Sequence, residues 1–287
     1  MSKFSNCANL AITPNARALR VTVIGCGCIG AYIGGRLALA DPEGVQITFL
    51  MSGSASSNSL VAAAHARGGL VLVDPDRHAN IVPCSVEPDN SRRPGAVRFI
   101  SDAATALHGA DVVIVATKRG AYAAVSRLLE EHCPEATVTT VLLCQNGLDA
   151  AAEYGPRLRA YQCIVTMNVV SDPNTAPGVF TRTSRWPKIT VDARVEEACS
   201  IIVQRLTDAG FSVPAKPIQS FEAVQRGKLV MNMFNAPNAL SGLSTAETLL
   251  DRRCLTLAAI IAREALDCFK SAGQGEESSL TVYLIHL

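Results

Sequence analysis

Residues 21–35 read VTVIGCGCIGAYIGG, a β-branched run that passes directly into a glycine loop, which in turn opens an apolar helix. Strand, loop and helix in that order outline a dinucleotide site. Gly25 allows the tight turn, Gly27 lets backbone N–H groups approach a pyrophosphate, and Gly30 lets the helix pack closely on the strand. Cys28 and Ile29 stand with Gly30 at the helix N-terminus, whose unsatisfied N–H groups face an anion. The candidate cofactor-binding set here is therefore Gly25, Gly27, Cys28, Ile29 and Gly30. The GxGxxG spacing alone also describes a flexible turn in any α/β protein; the flanking strand and helix supply the context the motif requires.

The rest of the chain narrows the partner. With 287 residues, 48% of them hydrophobic, the chain can bury two ordinary cores. Net charge is +1 and the charged residues are scattered, so nothing marks a nucleic-acid or anionic-membrane surface. A small-molecule partner is expected, with no nucleic acid, no membrane, and a homodimer as the candidate assembly. No apolar run approaches the roughly 18 residues of a spanning helix, and the first residues lack a secretory apolar segment. The expectation is a soluble, cytoplasmic protein; the leader carries Lys3, Arg17 and Arg20 and no acidic residue, so an organelle transit peptide is the alternative. Ten cysteines form no CxxC pair, which points to reduced, mostly core thiols rather than a metal site or a disulfide framework. Cys26 and Cys28 fall inside the glycine loop, where a redox switch is the alternative to an inert small side chain.

Strand and helix patterns alternate along the first two hundred residues. After the strand RVTVIG come a helix over 29–40, VQITFLM, a helix across SNSLVAAAHAR and the strand GLVLVD. A polar, proline-containing stretch over 87–94 separates these from RFISD, a short helix ATALHG and the buried run ADVVIVATK. A helix over 122–132 then leads to TVTTVLLCQNG. Further strands are expected at QCIVTMNVVSD, GVFTRTS and KITVDA, and an amphipathic helix over 195–209. From about residue 219 the pattern is helical almost throughout, with a break at Pro237. The expected fold is α/β: an N-terminal Rossmann-type, doubly wound parallel sheet followed by a partial all-helical C-terminal domain. The units are an extension over 1–19, a dinucleotide-binding domain over 20–217 and a helical substrate and catalytic domain over 218–287. The last residues, SLTVYLIHL, fit neither pattern and read as a terminal strand or a divergent end.

Polar residues at strand ends are the candidates for chemistry. Lys118 closes ADVVIVATK and Asn146-Gly147 follows VTTVLLCQ, so both fall at carboxyl ends of parallel strands, where ligands of doubly wound sheets bind. Taken singly they are a surface lysine and a turn dipeptide; together they suggest a shared cleft. Lys228 and Asn232, at i,i+4, share one face of a helix otherwise built of Leu229, Val230, Met231 and Met233. Burying an ammonium there is costly without a partner, and a lysine snorkelling to solvent is the plain alternative.

The glycine loop GCGCIGAYIGG, Lys118 in VATKRGAYAAV, the QNG turn at 145–147 and the helix KLVMN with a proline nearby resemble ketopantoate reductase, 2-dehydropantoate 2-reductase, over residues 20–272. The resemblance implies a Rossmann domain and a helical domain with NADPH and substrate between them. It implies that Gly25, Gly27 and Gly30 hold the pyrophosphate, that Lys118 lies near the cofactor and that Asn146 touches cofactor and substrate. Asn232 would bind substrate and Lys228 would be the catalytic lysine. Its ammonium would stabilise charge developing on the ketone oxygen of a 2-oxo acid during hydride transfer, then supply the proton.

Three departures follow from the same comparison. The family carries an arginine for the 2′-phosphate at the end of the second strand; here the sequence is ITFLMSGSAS, with Met51 and Ser52 at that place. No acidic residue replaces it to bind a ribose hydroxyl, so NADPH stays the expected cofactor, NADH the alternative, and Ser52, Ser54 or Arg67 the candidate phosphate partners. The family's second substrate asparagine falls at Ala236, flanked by Asn235 and Asn238 on other helix faces. The family's distal serine and glutamate lie past Leu287, and Glu276 and Ser278 do not replace them. The expectation is a truncated or divergent member whose remaining helices expose apolar surface. Its activity is either reduction of ketopantoate or a related 2-oxo acid, or cofactor binding without a complete active site.

Overall fold

The computed structural model describes residues 17–85, 94–133, 139–148, 150–154, 158–172, 174, 176–216 and 218–273. Most of the 1–19 extension, Pro217 at the expected boundary, most of the polar stretch over 87–94 and the SLTVYLIHL tail lie outside them.

Six parallel strands build the centre. β1 (Leu19–Ile24) pairs with β2 (Val45–Leu50) on one side and β6 (Val112–Val115) on the other; β5 (Val97–Ile100) continues beyond β2, and β7 (Thr140–Leu143) and β8 (Arg159–Val165) beyond β6. The order β5-β2-β1-β6-β7-β8 is the doubly wound one, with its switch point between β1 and β6. Alternation along the strands divides the core by face. Val21, Val23, Val112 and Ile114 meet helix α1 (Cys28–Ala40) on one side; Ile24, Val113 and Val115 meet α3 (Ala103–Leu107) and α4 (Tyr122–His132) on the other.

The sheet is mixed rather than parallel throughout. At one edge β11 (Ile189–Asp192) runs antiparallel to β8 and is followed by β12 (Ala215–Lys216). At the other, β4 (Ala79–Ser85), β3 (Gly69–Val73), β10 (Val179–Arg182) and β9 (Val169–Val170) extend the order to twelve described strands, with β3–β4 and β9–β10 antiparallel. This arm wraps α1, which contacts β3, β4, β9 and β10 as well as β2 and helix α5 (Ala193–Asp208). The enclosure explains why α1 is apolar over most of its surface, with Gly30, Ala31, Tyr32, Ile33, Gly34, Gly35, Leu37 and Ala38 all buried, while Arg36 pairs with Asp74. Tyr32 anchors the wrap: its hydroxyl donates to Asp74 at 2.5 Å and accepts from Arg182 Nε at 2.7 Å.

Three expectations change. QCIVTMNVVSD is not one strand; it divides into β8 and β9, because the chain leaves the central sheet after Val165 and joins the arm at Val169, three residues intervening. β4 and β12 form where no strand pattern stands out: β4 contains Pro83, and β12 has only two residues. The break after α6 (Ile218–Asn232) falls at Met233–Phe234, not at Pro237. Pro237 sits in the first turn of α7 (Asn235–Ser241), where a missing N–H costs no helical hydrogen bond.

α8 (Thr245–Leu250) starts in a Ser244–Glu247 capping box, and α9 (Arg252–Ser271) starts from Asp251, which accepts from the N–H groups of Arg253 and Cys254. α9 buries none of its twenty residues, and Leu240 and Leu250 are 84% and 83% exposed, so this region does expose apolar surface. No described helix is long and apolar enough to cross a membrane. The nine described cysteines are free, and no group of metal-ligating side chains forms among the described residues.

Candidate active site

The three loop glycines are required for three different reasons. Gly25 has φ +101°, and a Cβ there would press on the Ala116 carbonyl group at 2.9 and 3.0 Å. A Cβ at Gly30 would lie 2.0 Å from the Gly25 oxygen and 3.1 Å from Val23, so this glycine sets how closely α1 packs on β1. Gly27 has φ −85°, open to any residue, and a Cβ would meet no protein atom within 4 Å. Nothing inside the protein demands glycine at that position, which fits a ligand approaching the backbone there. Gly27 is also the N-cap of α1; no side chain caps this helix and no acidic residue occupies its first turn, leaving the N–H end suited to an anion. Cys28 and Ile29 flank the loop half-buried, with Cys28 Sγ 3.4 Å from Ser171 Oγ. Cys26 packs against the core and burial pushes its thiol up, which favours the inert reading over a redox switch.

The end of β2 meets the start of α2 (Ala55–Arg67) in a serine-rich turn. Ser54 caps α2, and its hydroxyl lies 3.1 Å from Ser52 Oγ and 3.2 Å from Ser56 Oγ. Arg67 is not a partner for a phosphate at that turn: it stands at the other end of a helix about 20 Å long and donates to the Pro177 carbonyl. Beside the turn, Met51, Asn58, Val61, His65, Phe99 and Ser101 line a cleft beyond the ends of β2 and β5.

A second cleft lies beyond the end of β7, between β8 and α6, and it gathers Asn146, Lys228 and Asn232. Lys228 Nζ donates to Asn146 Oδ1 and to the Val165 carbonyl, each at 2.7 Å. Both acceptors are neutral, and among the described residues no carboxylate lines the cleft. Burial therefore dominates and lowers the Lys228 pKa to about 8, with a small opposing effect from Cys144. Asn232 lies one turn beyond Lys228 on the same cleft wall. Lys118 follows β6 with its side chain exposed; its carbonyl accepts from Ala121 N at 3.0 Å and Gln145 Nε2 at 3.4 Å. Asn238 takes no part, since its amide oxygen accepts from Thr248 Oγ1 at 2.7 Å and so ties α7 to α8.

Three glutamines belong to this site and escape the sequence reading. Gln145, Gln162 and Gln225 are buried, and the Gly147 carbonyl accepts from Gln162 Nε2 at 2.8 Å and Gln225 Nε2 at 2.7 Å. The signal available was their position inside the apolar runs VLLCQ, YQCIV and FEAVQ, where an amide needs a partner. Gly147 itself has φ +113°, and the Arg119 guanidinium lies against it, 2.3 Å from where a Cβ would stand.

A family model described as ketopantoate reductase PanE/ApbA matches residues 21–194, more than half of the chain and the whole central sheet. The chain belongs to the ketopantoate reductase family. The family consists of oxidoreductases acting on a keto or hydroxy group. A search among curated proteins finds no match. Solved structures support the fold. A PanE/ApbA family ketopantoate reductase from Ralstonia eutropha JMP134 is 19% identical, with TM-score 0.67 over 89% of this chain and 75% of that one. The 2-dehydropantoate 2-reductase of Porphyromonas gingivalis W83 is 18% identical, with TM-score 0.68 over 94% and 88%. A D-mandelate dehydrogenase solved with NADH is 14% identical, with TM-score 0.62 over 93% and 78%.

Proposed function

We propose that this chain reduces a 2-oxo acid, ketopantoate or a close relative, with NADPH as reductant and Lys228 as general acid. One observation carries the reading: Lys228 is held in a cleft by two neutral acceptors, Asn146 Oδ1 and the Val165 carbonyl, with no carboxylate among the described residues of the cleft wall. Such a lysine keeps its proton at neutral pH and gives it up more readily than a solvated one. When bound, the nicotinamide supplies a hydride to the ketone carbon. The chain supplies the rest. Gly25, Gly27, Cys28, Ile29 and Gly30 would hold the pyrophosphate through backbone N–H groups, and Lys118 would add positive charge beside the cofactor. Lys228 would stabilise the oxyanion and protonate it, while Asn146 and Asn232 orient the substrate. At the end of β2 the hydroxyls of Ser52, Ser54 and Ser56 would take the role of the missing arginine toward a 2′-phosphate.

In this reading residues 20–217 bind the cofactor and the helices from 218 onward bring the acid. The partner is a small molecule, neither nucleic acid nor membrane, and the setting is the cytoplasm. The test is NADPH oxidation with ketopantoate and a panel of 2-oxo acids, beside Lys228→Ala. Turnover by the wild type and a loss of at least about 100-fold in the variant, with NADPH affinity retained, is expected. A folded, NADPH-binding wild type that reduces no 2-oxo acid would refute the reading.

A further inference from the structure

We propose that Gln225 and Gln162 are positioning residues: by donating together to the Gly147 carbonyl they lock the 145–147 turn so that Asn146 Oδ1 stays on Lys228 Nζ. The inference deepens the reductase reading and rests on it. Gln225 precedes Lys228 by three residues, so both project from the same face of α6 and both reach the one turn, Lys228 to Asn146 and Gln225 to Gly147. Gln162 comes from β8, on the far side of that turn, and its Oε1 accepts from Ala150 N at 3.1 Å. The two amides engage both lone pairs of one carbonyl, an arrangement that fixes the orientation of the peptide plane. Gln145 completes the frame, with Nε2 donating to Thr117 Oγ1 at 3.0 Å at the end of β6. The turn needs such fixing because Gly147, at φ +113°, has the freedom to leave it and carries Asn146 with it.

Few charges compete for Lys228. The thiols of Cys144 and Cys163 face it; their mutual hydrogen bond and burial keep Cys163 protonated. On α6 itself Glu222 faces Arg226, and on β11 Asp192 is engaged by Arg194. Lys216 stands on β12, and Lys118 and Arg119 are exposed at the end of β6. On α9, Arg263, Glu264, Asp267 and Lys270 are exposed. Loosening Asn146 therefore removes one of two acceptors from the ammonium with no carboxylate among the described cleft residues to replace it, and the lysine must titrate lower.

Gln225→Met removes the donor and keeps the length of the side chain. The expected result is a fall in kcat of about tenfold with the KM for NADPH unchanged, and an alkaline limb displaced to lower pH by about one unit. The lysine midpoint is also read without turnover, by NMR of lysine-labelled protein with Lys228→Arg marking the resonance. It should fall in Gln225→Met and in Gln162→Met, which acts from the other domain and serves if the first variant does not fold. An unchanged midpoint in the folded variants, with only a lower Tm, would overturn the proposal. Absence of 2-oxo acid reduction by the wild type would refute the reductase reading instead, and the lysine midpoint would still decide the positioning.

Discussion

At the β1–α1 loop the groups available to a ligand are backbone N–H groups: a Cβ on Gly27 would meet no described atom within 4 Å, and most of α1 behind it is buried. At α6 the arrangement reverses. There the groups are side chains, Lys228, Asn146 and Asn232, set by a buried amide network, and the helices that follow are only partly covered. At Gly25 and Gly30 the first region has no room for a side chain. The second is built to set a charge. On the proposed reading, binding and proton transfer fall to parts of the chain with different sensitivities, and substitutions should separate them.

The largest contrast is expected within the glycine loop. Gly30→Val drives a side chain into the Gly25 oxygen, and should cost about 3 kcal/mol or more, lowering Tm by on the order of 10 °C. Gly27→Val meets no protein atom, so Tm without ligand should stay close to wild type while the NADPH Kd rises by on the order of 100-fold, as charge-assisted N–H contacts are lost. Calorimetry and cofactor titration on the two variants read both effects; equal loss of stability would erase the distinction drawn between these glycines. In the α6 region, Asn146→Ala removes an acceptor from Lys228 and should lower kcat about tenfold without weakening NADPH binding beyond a few-fold. The smallest effect belongs to Lys118. Its exposed charge should contribute only a few-fold to cofactor affinity, and Lys118→Ala checked by titration at two salt concentrations should show the difference shrink at high salt.

The same contrast governs what the sequence reveals. The glycine loop is legible because its requirement is the absence of a Cβ, at a positive φ for Gly25 and a close packing contact for Gly30, so it is written as residue identity. β6 is legible because a strand buried on both faces must be apolar throughout, as VVIV is. α9 is legible as an amphipathic helix, but not what lies against it, since periodicity gives a face and not a partner. β4 and β12 escape because neighbouring strands supply their hydrogen bonds: β4 meets β5 only through Cys84 and Ser85, which leaves Pro83 outside that ladder, and β12 is an edge strand of two residues. The site divides similarly. Lys228 and Asn232 stand out as polar groups on an apolar helix, whereas Gln162 and Gln225 depend on the Gly147 carbonyl, a backbone acceptor that only the folded turn presents.

The pH dependence of 2-oxo acid reduction at saturating cofactor tests most directly whether Lys228 is the acid. Its pKa lies near 8, below the ordinary lysine value, because burial disfavours the charged form. The ammonium is present below that pH and lost above it, so the rate should be level between pH 6 and about 7 and fall through an apparent pKa of about 8. A rate that stays level through pH 10 would contradict the account.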